Sequence, residues 1–106
     1  MGQTVAVIPA WNESATVGAV VYAALDARLV DAVVVVDNAS TDATAAMAAA
    51  HGARVVREPV PGKGEALRAG VAAAGGANVL VFLDADLVGR ELRRMHVGAR
   101  IGGGKD

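Results

Sequence analysis

The chain has 106 residues, of which 54% are hydrophobic, 20% are charged and 3% are aromatic. This apolar content suffices for one small folded domain and excludes a disordered chain. The formal net charge of -1 argues against a general attraction to nucleic acid, and the absence of cysteine excludes disulfides and thiolate chemistry. Polar residues interrupt every apolar run before the ~20 residues of a membrane span. We therefore expect no transmembrane segment and a cytoplasmic location.

The first half of the chain predicts two strands, each followed by a helix. Residues 4–9 (TVAVIP) form a strand that Pro9 ends. Asn12 or Ser14 is placed to cap a helix. Its apolar residues recur at helical spacing: Val17, Val20, Val21, Leu25 and Leu29. Residues 32–37 (AVVVVD) are typical of a central parallel strand covered on both faces, and one of residues 40–42 then caps an alanine-rich helix that ends near His51.

The second half repeats this order. Residues 53–57 (ARVVR) predict a third strand, and residues 58–64 (EPVPGKG) predict a loop. A helix over residues 65–74 follows, with Leu67, Val71 and Ala74 on one side, and residues 78–83 (NVLVFL) predict a fourth buried strand. Crossover helices between short apolar strands indicate an α/β fold: a three-layer α/β/α, Rossmann-like arrangement with a four-stranded parallel sheet.

The end of the chain differs in character from the rest. We expect a domain over residues 1–88 and a basic C-terminal tail over residues 89–106, which is also a candidate truncation point. The outer edge of the fourth strand would be an exposed apolar edge. We expect Leu92 and Met95 to cover it, or the protein to self-associate or bind a partner chain there.

Asp84 and Asp86 are the sharpest chemical feature. They follow the fourth strand two residues apart, and paired carboxylates of this kind hold Mg²⁺ or Mn²⁺ together with the phosphates of a ligand. Such an ion would neutralise the charge that develops on a leaving diphosphate. The alternative is a turn whose carboxylates only cap a helix.

Other polar residues are expected near the same edge, because ligands of open parallel sheets bind beyond the carboxyl ends of the strands. Lys63 stands between two glycines at the start of a helix, which predicts an anion-binding site or else a solvated turn. Asp37 is placed to accept a hydrogen bond from a base or ribose, or else to cap the next helix. Trp11 would stack on a base or close the end of the core.

Four segments in this order resemble the nucleotide-binding half of GT-A glycosyltransferases of the family 2 type. They are residues 7–13 (VIPAWNE), 35–42 (VVDNASTD), 61–67 (PGKGEAL) and 83–87 (LDADL). The third is most similar to glucosyl-3-phosphoglycerate synthases and, more loosely, to polyprenyl-phosphate sugar transferases. The resemblance implies a metal-dependent transfer of sugar from a UDP- or GDP-sugar to a hydroxyl or phosphate acceptor.

The resemblance also implies a role for each matching residue. The nucleotide pocket would be lined by Pro9, Ala10 and Glu13, with Trp11 beside the base. Asp37 would bind the uracil or guanine, and Gly62 and Lys63 would lie by the nucleotide and its phosphates. Asp84 and Asp86 would be the family's Asp-x-Asp pair and its catalytic residues. Asp86 would ligate Mg²⁺ or Mn²⁺, and Asp84 would contact ribose or sugar.

Two other functions compete with this interpretation. The stretch from Arg90 onward does not resemble the family's continuation, which carries the acceptor site. The chain would then be a fragment, a truncated product or a donor-binding half that works with a partner. The first competing function is a non-catalytic nucleotide-binding or assembly module. An aspartate-based phosphatase or receiver domain that uses Asp84 or Asp37 as nucleophile ranks lower, because that motif normally follows the first strand.

Overall fold

The structure is a computed structural model that describes residues 3–87. In chain order the elements are β1 (Thr4–Ala10), α1 (Val17–Asp26), β2 (Ala32–Asp37), α2 (Thr44–Ala50), β3 (Arg54–Arg57), α3 (Lys63–Ala73) and β4 (Val79–Phe82). The predicted α/β order is confirmed. No helix in this part of the chain has the length and apolarity to cross a membrane. The predicted tail, including Leu92 and Met95, lies outside the described residues, and the boundary at residue 88 stays a prediction.

The strands form one parallel sheet in the order β3-β2-β1-β4. The first two crossovers run in one direction across the sheet, and the third returns past β2 and β1 to reach β4. Because crossovers are right-handed, the returning helix must lie on the opposite face. The core is divided accordingly: Ile8 and Val35 pack with α1, whereas Val7 and Val36 pack with α3.

β1 continues one residue past Pro9, where the sequence predicts its end. Pro9 pairs in register with Val36 of β2, although proline lacks an N–H group. The Ala10 carbonyl accepts a hydrogen bond from Asn38 on the β2 side, whereas the Val7 carbonyl accepts one from Leu83 on the β4 side. The missing N–H of Pro9 therefore faces the β4 side, where the pairing ends with the bond from Leu83 to Val7, and the pairing of β1 with β2 continues to Ala10.

One expectation about burial is wrong. β4 is half exposed rather than buried, because it lies at the edge of the described sheet beside β1. On α3, Val71 is exposed, and the buried positions are Ala66 and Gly70. The smallest side chains face the sheet because the helix axis lies so close to it that a larger residue would not fit.

Candidate functional site

A cleft opens at the carboxyl end of the sheet, where the strand order reverses between β1 and β4. Ligands of open α/β sheets bind at this kind of switch point. The cleft has a volume of about 670 Å³. Its lining includes the predicted site residues Pro9, Ala10, Trp11, Glu13, Gly62, Lys63, Asp84 and Asp86. It also includes Asn12, Asn38, Pro61, Ala66 and Ala85, which the sequence did not single out as ligand-binding residues.

The Asp-x-Asp turn is fixed at its middle residue. Ala85 is buried, and its carbonyl accepts a hydrogen bond of 2.7 Å from the Thr16 hydroxyl at the start of α1. Asp84 and Asp86 on either side are exposed and line the cleft. The fold therefore holds the backbone between the two carboxylates and leaves both side chains open to a ligand.

Glu13 adds a third carboxylate to the cleft. Its pKa is raised from 4.5, first by burial and then by the negative charges of Asp86, Asp42 and Asp84. Charges of one sign thus accumulate at this side of the cleft. A bound cation would relieve that repulsion.

The carboxylates of the cleft suit a cation that is coordinated partly by the protein and partly by a substrate. Within residues 3–87, no group of three or more His, Asp or Glu side chains converges closely enough to hold a metal ion. Mg²⁺ and Mn²⁺ do not need such a group, because they are commonly held by one or two carboxylates, waters and substrate phosphates. Asp84 and Asp86 fit that mode of binding.

A second part of the cleft wall is formed by the start of α3. Gly62 precedes the helix with φ of 131°, a conformation that strongly favours glycine. Lys63 is the first helical residue. The first N–H groups of a helix have no intrahelical acceptor, and the helix dipole is positive at this end. Backbone donors and the Lys63 ammonium therefore make this wall suitable for phosphate.

Hydrogen bonds join the loop after β1 to the loop after β2. The Asn12 N–H donates to Ser40 Oγ at 2.9 Å, and Asn12 Oδ1 accepts from the Thr41 N–H at 2.8 Å. The Glu13 N–H donates to Thr44 Oγ1 at 2.9 Å. Asn12 adopts φ of 51°, which asparagine tolerates better than most residues. The turn that carries Trp11 and Glu13 is therefore held in place by hydrogen bonds to the loop after β2.

The same loop after β2 contains Asp42, which accepts hydrogen bonds from the Thr44 hydroxyl and from the N–H groups of Thr44 and Ser14. The Thr44 hydroxyl bond is the main cause that lowers the pKa of Asp42 from 3.8 to about 2. This carboxylate remains charged at neutral pH and holds the start of α2.

Asp37 is placed differently from the other predicted site residues. It is not among the described residues that line the cleft, and only 2% of its surface is exposed. Its Oδ1 accepts from the Ser40 N–H at 3.2 Å, and its Oδ2 lies 3.4 Å from Arg57 Nη1. Trp11, in contrast, is 63% exposed at the mouth of the cleft rather than part of the core. The base-binding role of Asp37 stays a prediction.

The strand order and the cleft at the switch point together define an α/β domain of the GT-A type. The profile of glycosyl transferase family 2 matches residues 5–91. The chain belongs to this family.

Similar proteins come from mycobacteria. Glucosyl-3-phosphoglycerate synthase of Mycobacterium tuberculosis is 47% identical over 98 residues, which cover 82% of this chain and 30% of that protein. An uncharacterised glycosyltransferase of Mycobacterium bovis is 51% identical over 80 residues, which cover 76% of this chain and 35% of that protein. The chain thus spans about a third of the length of these relatives.

A solved structure shows the same fold with its ligands. It is the glucosyl-3-phosphoglycerate synthase of M. tuberculosis in complex with Mn²⁺, UDP-glucose and phosphoglyceric acid. It superposes with a TM-score of 0.71 at 40% identity and covers 82% of this chain and 34% of that chain. The predicted GT-A family and fold are therefore confirmed.

Proposed function

We propose that this chain is the donor-binding part of a glycosyltransferase that takes sugar from a nucleoside diphosphate sugar of the UDP-glucose class. The observation that carries the proposal is the cleft at the switch point, which is lined both by the Asp84 and Asp86 carboxylates and by Gly62 and Lys63 at the start of α3. Carboxylates bind a cation, and a lysine at a helix N-terminus binds a diphosphate. The UDP-glucose and Mn²⁺ bound by the M. tuberculosis relative support the choice of donor and ion.

Each group of residues in the cleft has its own role in this proposal. Asp86 would ligate Mg²⁺ or Mn²⁺, and Asp84 would contact the ribose or the sugar. Gly62 and Lys63 would bind the diphosphate, and Trp11 would lie beside the base. Pro9, Ala10 and Glu13 line the remaining floor of the cleft beside β1. Asp37 would bind the base through a displacement of its present hydrogen-bonding partners.

The reaction that fits these parts is glycosyl transfer. An acceptor oxygen forms a bond to the anomeric carbon as the bond from that carbon to the diphosphate oxygen breaks, and the electron pair leaves with the nucleoside diphosphate. A hydroxyl acceptor gives up its proton to solvent in this step. Lys63 and the helix dipole of α3 stabilise the charge that develops on the diphosphate. The cation, when bound, supplies further neutralisation of that charge.

Calorimetry with UDP-glucose and GDP-mannose, each with and without Mn²⁺, tests the proposal. We expect Mn²⁺-dependent binding of UDP-glucose, and we expect Asp86→Asn to remove the dependence on Mn²⁺. Asp26→Asn is the matched control, because Asp26 is an exposed aspartate at the far end of α1. Binding of neither donor in any condition would show that the proposal is wrong.

The alternative, a non-catalytic nucleotide-binding or assembly module, predicts the same binding without turnover. Release of UDP from UDP-glucose, measured with phosphoglyceric acid as the offered acceptor, separates the two. A cytoplasmic location belongs to the proposal as well, since UDP- and GDP-sugars of this class would be drawn from that compartment.

A further inference from the structure

Asn38 makes an unusual set of contacts for a residue that lines a cleft. It follows β2 directly, and only 8% of its surface is exposed. Its Nδ2 donates to the carbonyls of Glu58 at 3.0 Å and Val60 at 2.8 Å, and its Oδ1 accepts from the Gly62 N–H at 3.0 Å. The side chain is thus bound to one loop, residues 58–62, at three points.

The 58–62 loop has few other hydrogen bonds that could fix its conformation. Pro59 and Pro61 have no N–H group, so the loop has only three backbone donors. The Glu58 N–H donates to the Asp37 carbonyl, the Val60 N–H donates to Glu58 Oε2, and the Gly62 N–H donates to Asn38. Every donor of the loop is therefore used, and the last one before α3 depends on Asn38.

Gly62 is where this loop meets the proposed phosphate site. Its φ of 131° sets the direction in which α3 begins, and Lys63 is the next residue. A binding group that is held in place before the ligand arrives avoids the entropy cost of ordering it. The carboxamide of Asn38 supplies two N–H donors and an acceptor, one donor more than a backbone peptide group has.

We propose, on the basis of the proposed function, that Asn38 is a positioning residue for the diphosphate of the nucleotide. It acts on the phosphates through the 58–62 loop and the start of α3, and not through a contact with the base. Removal of the Asn38 side chain should weaken binding of UDP but should leave binding of uridine, which has no phosphate, nearly unchanged. This selectivity separates a positioning role from a contact to the base and from a general loss of stability.

The test compares the full chain with its Asn38→Ala variant for UDP and uridine binding in the presence of Mn²⁺. We expect UDP affinity to fall about tenfold and uridine affinity to change less than about twofold. Hydrogen exchange of the Gly62 amide should become faster in the variant, because its acceptor is removed. Asn78→Ala is the matched control, because Asn78 accepts a single hydrogen bond from Gln3 ahead of β4.

The outcomes distinguish this inference from the function on which it rests. A wild-type chain that binds no UDP would overturn the proposed function and this inference with it. If the wild type binds UDP, equal losses for UDP and uridine would show that Asn38 acts through a contact with the base or through general stability. Unchanged UDP affinity in Asn38→Ala would show that the loop needs no help from this side chain. Either result would overturn the inference alone.

Discussion

Thr16 shows how one hydroxyl can control two carboxylates that it does not touch. Its bond to the Ala85 carbonyl joins residues that are 69 positions apart in the chain. In Thr16→Val the shape is kept, but the buried carbonyl loses its donor, which should lower the free energy of unfolding by about 1–2 kcal/mol. We also expect the Mn²⁺-dependent gain in UDP affinity to shrink, because Asp84 and Asp86 are less well held. Thr16→Ser should restore both properties, and a variant with full Mn²⁺ dependence would contradict this role.

Glu13 should make the stability of the chain depend on pH. Its pKa in the folded state lies above the unfolded value of 4.5, so the folded state binds the proton more tightly. The resulting stabilisation is fully present below pH 4.5 and is lost as pH rises through the folded-state pKa. Without metal, Glu13→Gln should therefore raise the Tm at pH 7 and leave it unchanged at pH 4.

The matched control for this prediction is Glu65→Gln. Glu65 lies on α3 and pairs with Arg68 at 2.9 Å, so removal of its charge should not raise the Tm at pH 7. Equal changes in the two variants, or a stabilisation by Glu13→Gln that persists at pH 4, would show that crowding of carboxylates in the cleft is not the cause.

At the residue scale, the sequence predicted those members of the cleft whose chemistry is visible in their type and position. Asp84 and Asp86 come just after a predicted strand, Lys63 follows a glycine, and all three line the cleft. Thr16 and Asn38 were not predicted in their roles, because their partners lie on segments far away in the chain. An Asn after a strand or a Thr before a helix is ordinarily a local cap. Only the fold shows that these two bind distant backbone.

Among the elements, α3 depends most on close packing. A Cβ atom on Gly70 would lie 2.3 Å from Val7 Cγ1 and 3.1 Å from Val36 Cγ2. Valine is stiff at χ1 and cannot turn aside easily, so Gly70→Ala should be destabilising by about 1–2 kcal/mol in spite of the better helix propensity of alanine. Denaturant unfolding measures this loss.

Gly64→Ala on the same helix provides the control for Gly70→Ala. A Cβ atom there would meet nothing within 4 Å, so only helix propensity acts and the variant should be as stable as the wild type or more stable. Equal effects at the two positions would contradict the packing argument.

The observed bounds of the strands and helices agree with the predicted ones where the local sequence determines them. They differ where packing against another element determines them. β2 begins and ends as predicted at residues 32–37, because a run of valine between polar residues has one interpretation. β1 continues past Pro9 because β4 ends at Phe82, before it reaches the level of Pro9. The sequence of β1 alone does not show where β4 ends. The same holds for α3, where the short distance to the sheet places Gly70 rather than Val71 against the core.

For the molecule as a whole, the order of the strands decides where the site lies. The sequence predicts four parallel strands but does not order them, because β4 can be added at either edge of β3-β2-β1 with a helix of similar length. Its place beside β1 puts Asp84 and Asp86 in the same cleft as the start of α3. Beside β3, the same carboxylates would be separated from Pro9 and Ala10 by two strands.

That strand order also makes β4 an edge in the described part of the chain, with Val79 and Phe82 each 51% exposed. An apolar edge strand pairs readily with another chain. We expect the chain to self-associate through this edge, with a mass in sedimentation equilibrium that rises with concentration. Val79→Lys places a charge on the edge at the end away from the cleft, so it should lower the association without a change in UDP affinity. If wild type and variant were both monomers at high concentration, β4 would have to be covered within the chain itself, as we predict for Leu92 and Met95 in the alternative case.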